Sequence, residues 1–100
     1  MKKMKHKRYR SVEEFGRSLG LSDLDIEVIR QKTLIAEKLR RERLKQRITQ
    51  AKLADLVGSR QPAIARMEAG SLSLVSMDFL VKVALALNVS ISITGKSVAA

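Results

Sequence analysis

The segment at residues 49–70, TQAKLADLVGSRQPAIARMEAG, constrains the fold of this chain more than any other. Thr49 is of the type that caps the start of a helix. Gly58 can adopt the left-handed conformation with which a helix ends before a sharp turn. Pro62 suits the first turn of a following helix, where its missing N–H costs nothing. The segment therefore predicts two short helices that meet at a glycine corner.

The apolar positions predict which faces of these helices, near 50–57 and 61–68, are buried. In the first helix the inward side chains are predicted to be Leu53, Leu56 and Val57, with the small Ala54 where the second helix crosses. In the second helix Ile64 and Met67 are predicted to be buried. The residues left facing outward are Gln61, Ala65 and Arg66. Such a polar, short-sided face can lie in a DNA major groove.

Nine residues of this segment resemble, in type and spacing, the Xre or lambda-repressor-like helix-turn-helix family. They are Thr49, Gln50, Leu53, Ala54, Gly58, Gln61, Ile64, Glu68 and Gly70. The resemblance implies an all-α helix-turn-helix bundle that binds duplex DNA and represses transcription. The chain departs from the family at Ser59 and Arg60, where an apolar residue and a Ser or Thr cap are common. Ser59 is therefore an alternative cap that would start the second helix one residue early.

Side-chain chemistry and this resemblance together predict the DNA contacts. A Gln amide can bond adenine and an Arg guanidinium can bond guanine, in each case through two hydrogen bonds. The predicted base contacts are Gln61, Arg66 and, at the entry to the helix, Arg60, for which a phosphate is the alternative. The predicted phosphate contacts are Thr49, Gln50, Lys52, Ser71 and Ser73. The alternatives are simple capping for Gln50 and a surface ion pair for Arg66.

Arg43 and Glu68 stand where the family often joins its first helix to the end of the recognition helix. The resemblance implies that they form a partly buried ion pair. Such a pair would fix the two helices and would not touch DNA.

The charge of the chain favours a polyanionic partner. Its 100 residues, enough for one small domain, carry 20 Lys and Arg against 10 Asp and Glu, a net charge of +10. Six basic residues and no acid lie within residues 1–10. Because only three aromatic residues are present, base stacking by a single-strand binder is disfavoured, and duplex DNA is the better prediction.

The composition argues against several other classes. The chain has no Cys and one His, so we expect no disulfide, no metal site and no cofactor. The sequence shows no recognisable catalytic motif, such as paired carboxylates, a nucleophile with its base or a Gly-rich phosphate loop. An enzyme is therefore not predicted. No apolar run approaches the ~20 residues of a membrane span, and no apolar stretch of a signal peptide follows the basic start. A cytoplasmic protein associated with the nucleoid is the resulting expectation.

The rest of the chain predicts a basic disordered arm at 1–10, the DNA-binding domain at 11–94 and a tail at 95–100. A helical extension before the motif is predicted from Ser11 to about Leu19 and from Asp23 to Lys45, the latter as one helix or two. The apolar positions assigned to its faces are Val12, Phe15 and Leu19, then Leu24, Val28, Ile35 and Leu39. After the motif, a helix at Met77–Leu87 is predicted to follow a Ser76 cap. Its core-facing residues are Leu80, Val83, Ala84 and Leu87.

The alternation at Val89–Thr94 predicts a short C-terminal β-strand. A lone strand leaves its backbone groups unpaired, so it would need a second copy of this chain or a different protein. The alternative is an extended tail that lies on the helices.

The region before the motif, including LGLS from Leu19 and KTLIAEKL from Lys32, resembles the HigA-like antitoxin branch of the Xre family. This resemblance implies the antitoxin of a type II toxin–antitoxin operon, with a small HigB/RelE-like ribonuclease toxin as partner. The alternatives are a stand-alone Xre or phage-type repressor, and an interaction module without specific DNA binding. A homodimer on a palindromic operator is expected, since one recognition helix reads only a few base pairs.

Overall fold

The structure, a computed structural model, describes residues 12–95, and within this range it is all-α, as predicted. The helices are α1 (Val12–Ser18), α2 (Asp23–Lys45), α3 (Gln50–Val57), α4 (Gln61–Glu68) and α5 (Met77–Leu87), with a 3₁₀ turn at Leu72–Leu74. The predicted basic arm, the Ser11 cap and residues 96–100 of the tail lie outside the described residues.

The helical extension before the motif contains one long helix, α2, which settles the question of one helix or two. Ser22 caps it by accepting a hydrogen bond from the backbone N–H of Asp25 at 3.0 Å. Its 23 residues span about 34 Å at the rise of an α-helix. It ends where Arg47 turns the chain with a φ of +59°. The predicted end at Lys45 is confirmed, but the sequence did not indicate the turn that follows it, since Arg is not a residue that favours positive φ.

Helix α3 begins and ends at the two residues that the sequence predicted, Thr49 and Gly58. The Thr49 hydroxyl accepts from the backbone N–H of Lys52 at 3.0 Å. Gly58 ends α3 with φ +69° and ψ +36°. The residue at the N-cap of α4 is Arg60, whose side chain makes no capping bond, and Pro62 is the second residue of the helix. The alternative cap at Ser59 is therefore wrong.

One apolar core joins α2, α3, α4 and α5. Its fully buried large side chains are Leu39, Leu53, Ile64, Met67, Leu80, Val83 and Leu87. Leu56, predicted to face inward, is 50% exposed. Successive residues of an α-helix are rotated by about 100° around its axis. Leu56 therefore lies roughly 100° around the axis from the face that Leu53, Ala54 and Val57 present to the core, and its side chain stays outside the core.

The apolar face predicted for the N-terminal extension is only partly buried. Ile35 and Leu39 lie in the core, but Leu24 is 64% and Val28 48% exposed. These two side chains line an open cleft together with Met77 and Ile93. Phe15 of α1 and Leu19, which follows that helix, also stay largely exposed. The sequence assigned these side chains to apolar faces of two helices, and those faces are left largely uncovered at these four positions.

The C-terminal segment forms no strand within the described residues, so the strand prediction is not met in the single chain. The segment lies along α2 instead, which agrees with the alternative prediction of a tail that lies on the helices. The amide of Gln31 donates to the carbonyl of Thr94 at 3.0 Å and accepts from its N–H at 3.4 Å. Lys38 donates to the carbonyl of Ser90. Val89 and Ile91 pack against the edge of the core.

Among the residues the structure describes, no helix combines the length and the hydropathy that crossing a bilayer requires.

Candidate nucleic-acid interface

The outward face of α4 and the first turn of α3 form one surface, because the glycine corner packs the two helices side by side. Ile64 and Met67 fix the back of α4 in the core, and both are fully buried. Gln61 and Arg66 are consequently exposed on its outer side. The polar surface thus stands on a rigid apolar base.

A continuous series of hydrogen bonds runs from this surface into the interior. Gln61 donates from Nε2 to Oε1 of Gln50 at 2.6 Å. Gln50 donates from Nε2 to Oε1 of Glu68 at 2.9 Å. Arg43 then donates to both Glu68 oxygens, at 2.6 Å from Nε and 2.9 Å from NH2. The series links α2, α3 and both ends of α4.

The Arg43–Glu68 pair that ends the series is buried, with side-chain exposures of 9% and 4%. Burial acts to raise the pKa of Glu68, but the hydrogen bonds from Arg43 and Gln50 and the charges of Arg43 and Arg40 outweigh it, so the pKa is lowered. The hydrogen bond to Glu68 raises the pKa of Arg43, so the contact favours the charged form of both partners. Arg43 also donates to the carbonyl of Ile48 at 2.8 Å, which ties the turn before α3 to the same pair.

Gln50 therefore has a role that its position in the sequence did not show. It was predicted to bind phosphate, with capping as the alternative, and the cap of α3 is Thr49. Its side chain lies between Gln61 and Glu68, bonded to both. The contacts join residues 11 and 18 positions apart, so no local spacing signals them.

Three of the remaining predicted contacts are the cations Arg60, Lys52 and Arg66. Arg60 and Lys52 are exposed, and Arg66 lines a cleft of about 220 Å³ with Ser59, Leu74 and Phe79. Within residues 12–95 these three cations make no ion pair. The surface-pair alternative for Arg66 is thus not seen. Their charge is available to an anionic partner.

Ser71 and Ser73 are exposed around the 3₁₀ turn that follows α4. A residue that sequence reasoning missed holds this turn. The ammonium of Lys32 on α2 donates to the carbonyls of Val75 at 2.6 Å and Leu72 at 3.3 Å. The contact spans 40 residues or more, and nothing in the local sequence indicates it.

A comparison with protein families matches the helix-turn-helix family model to residues 39–93, more than half of the chain. The chain belongs to the Xre, or lambda-repressor-like, helix-turn-helix family. Members of this family are DNA-binding transcription regulators and generally not enzymes, and double-stranded DNA is their ligand. The comparisons with curated proteins and with solved structures gave no match.

The matched region contains every predicted DNA-contact residue and the Arg43–Glu68 pair, and it leaves out α1 and most of α2. In this Xre-family protein the family match thus covers the helix-turn-helix and the core that carries it. The helical extension before residue 39 is present in the structure but lies outside the family match.

Proposed function

We propose that this Xre-family protein is a sequence-specific repressor whose α4 lies in the major groove of an operator. The observation that carries the proposal is the state of Gln61, which is exposed to solvent yet held from behind by Gln50. A base-reading side chain that is already oriented loses less conformational entropy on binding. The buried Arg43–Glu68 pair is what keeps Gln50 in place.

The hydrogen bond to Gln50 leaves Gln61 able to read a base. Its Nε2 uses one of two N–H groups toward Gln50, so the second N–H and Oε1 stay available. These are the donor and acceptor that match N7 and N6 of adenine. Arg66 offers the fork that matches guanine, and Arg60 is a third base contact. Each bidentate pair contributes about 1–3 kcal/mol of discrimination.

Phosphate contacts would position this face on the duplex. Thr49 caps α3, and Gln50 and Lys52 lie in its first turn, where the helix dipole and the backbone N–H groups that are not used in capping favour an anion. Ser71 and Ser73 lie beyond the other end of α4. With Gln50 held by its neighbours, its backbone N–H is the group we assign to phosphate.

Operator recognition is proposed to involve two copies of the chain. One α4 of eight residues reads only a few base pairs. Two copies related by a two-fold axis would read half-sites of a palindrome about 10 bp apart.

Selection of bound sequences from a random duplex library tests the repressor. The expected result is a palindrome with half-sites about one helical turn apart. Gln61→Ala should change the preferred base at one position in each half-site and leave the melting temperature unchanged. Ala65→Ser, on the same face but without a predicted base contact, is the matched control. Enrichment of no sequence, or unchanged preference in Gln61→Ala, would contradict the proposal.

The resemblance to the HigA-like branch supports a further role, that of an antitoxin which neutralises a small ribonuclease toxin and represses their shared operon. Co-expression with the adjacent open reading frame followed by a pull-down tests it. A stable complex that relieves toxicity is expected. Operator binding without any such complex would favour the stand-alone repressor instead.

A further inference from the structure

The C-terminal segment at residues 89–95 is held along α2 by one edge of its backbone. Lys38 binds the carbonyl of Ser90, and Gln31 binds both the N–H and the carbonyl of Thr94. Lys38 and Gln31 are seven residues apart, about 10 Å along a helix. Four residues of extended chain cover about 13 Å and four residues of helix about 6 Å, and residues 89–95 form no helix or turn. The segment is thus an extended chain antiparallel to α2.

The opposite backbone edge of this segment is open. In an extended chain the N–H and carbonyl groups of successive residues point to alternate sides. Because Ser90 and Thr94 point toward α2, Ile91 and Ile93 point away from it. Neither has a backbone hydrogen bond within the described residues, whereas the N–H of Val89 is taken by the carbonyl of Ala84 at 3.0 Å. The side chains of α2 thus occupy the place of a neighbouring strand on one side only.

This open edge lacks the features with which proteins protect an exposed edge. Residues 83–95 contain no charged residue and no Pro, in a chain that is 30% charged. Ile93 is 57% exposed beside a cleft of about 370 Å³ whose apolar lining includes Leu24, Val28 and Met77. The edge and the apolar surface next to it are therefore continuous.

We propose that this edge pairs with the same edge of a second copy, forming a two-stranded antiparallel sheet with its two-fold axis at Ser92. This names the interface of the dimer proposed above and rests on that proposal. In this register Ile91 of each copy exchanges both backbone hydrogen bonds with Ile93 of the other. Centring the pair on Ile91 instead would set Ile93 against Val89, whose N–H is already used.

The sequence of the segment fits a second copy better than an unrelated partner. Around Ser92 it reads Ser-Ile-Ser-Ile-Thr, which is nearly the same in both directions. Antiparallel pairing therefore sets Ile opposite Ile and Ser opposite Thr, pairs that stabilise a sheet. The absence of charge matters as well, since each copy carries +10 and two such chains repel each other elsewhere.

An engineered disulfide tests the register, because the wild-type chain has no cysteine. In the proposed pair the two copies of residue 92 form a non-hydrogen-bonded pair with Cα atoms about 4.5 Å apart, within disulfide range. Ser92→Cys should therefore cross-link into a covalent dimer under mild oxidation without DNA. Ser90→Cys, equally exposed, is the matched control, since four residues of offset separate its copies by about 13 Å. Equal cross-linking of both variants, or none in Ser92→Cys, would overturn the proposal.

Sedimentation equilibrium of the full chain without DNA tests the pairing independently of the thiol. The wild type should show a monomer–dimer equilibrium. Ile93→Pro, which removes an N–H from the open edge, should shift it to monomer, whereas Ser92→Pro removes an N–H that faces α2 and should shift it much less. A wild type that stays monomeric, or equal effects of the two prolines, would refute this interface. Operator selection by the wild type remains a separate readout, so failure of the interface and failure of the repressor are distinguishable.

Discussion

Glu68 is the residue on which the DNA-facing surface depends most. Its carboxylate is buried and bonded to Arg43 and Gln50, and Gln50 in turn holds Gln61. The family resemblance implied the pair of Glu68 with Arg43. The contacts of Gln50 with Glu68 and with Gln61 were not predicted from the sequence and are seen only in the structure. Residue types can suggest which side chains carry a function, but long-range contacts decide how those side chains are held.

Glu68→Ala is expected to destabilise the fold, and Arg66→Ala to weaken operator binding with little change in melting temperature. Removal of one partner from a buried ion pair strands the other charge and costs about 3–5 kcal/mol. Arg66 is exposed and makes no ion pair within the described residues, so its loss strands nothing. Thermal unfolding of both variants beside binding curves checks the division. Equal losses of melting temperature would contradict it.

The lowered pKa of Glu68 makes the stability of the protein depend on pH in acid. A carboxylate whose pKa is lower in the folded protein stabilises the fold at every pH above its pKa in the unfolded chain. That contribution is lost as the pH falls through the pKa of the folded protein. The stability difference between wild type and Glu68→Gln should thus be constant above about pH 5 and shrink below the ordinary carboxyl value of 4.5. Paired urea titrations at each pH measure it, since other carboxylates cancel in the difference. A constant difference down to pH 2 would disprove the assignment.

At the scale of elements, the helices were predictable where cap residues mark their ends. A helix starts after Thr49, another ends at Gly58 and a third starts after Ser76. Each of these residues adopts a local backbone geometry that its type favours. The turn at Arg47 that follows α2 was not predictable, because nothing in that residue favours its positive φ. The burial of Leu56 was predicted wrongly for a related reason. Periodicity shows which residues share a face, but not whether another element covers it.

The difference between the caps of α3 and α4 can be tested by two matched substitutions. Thr49→Ala removes the hydroxyl that accepts from Lys52 and should destabilise the protein by about 1 kcal/mol. Ser59→Ala should change stability by less than about 0.5 kcal/mol, because α4 has no side-chain cap there. Urea denaturation of the two variants and the wild type provides the comparison. A loss of similar size in Ser59→Ala would restore that residue as a cap.

At the scale of the whole molecule, the excess of positive charge and the polar face of α4 have separable effects on DNA binding. Charge that neutralises phosphate acts on every sequence equally and is screened by salt, with a slope of about −0.9 in log K against log salt per phosphate. Base contacts act on the operator alone. Lys52 and Arg66 offer a matched comparison, since both are exposed and neither makes an ion pair within the described residues.

Lys52→Gln should weaken binding to operator and to unrelated duplex by the same factor, and should reduce the salt slope by about one for each copy bound. Arg66→Gln should weaken operator binding by about 1–3 kcal/mol while unrelated duplex, which offers no matching guanine, is bound nearly as well as before. Fluorescence anisotropy at several salt concentrations measures both affinities and both slopes. The two roles would be wrong as assigned if Lys52→Gln lowered the ratio of operator to unrelated affinity more than Arg66→Gln, because a phosphate contact carries no information about sequence.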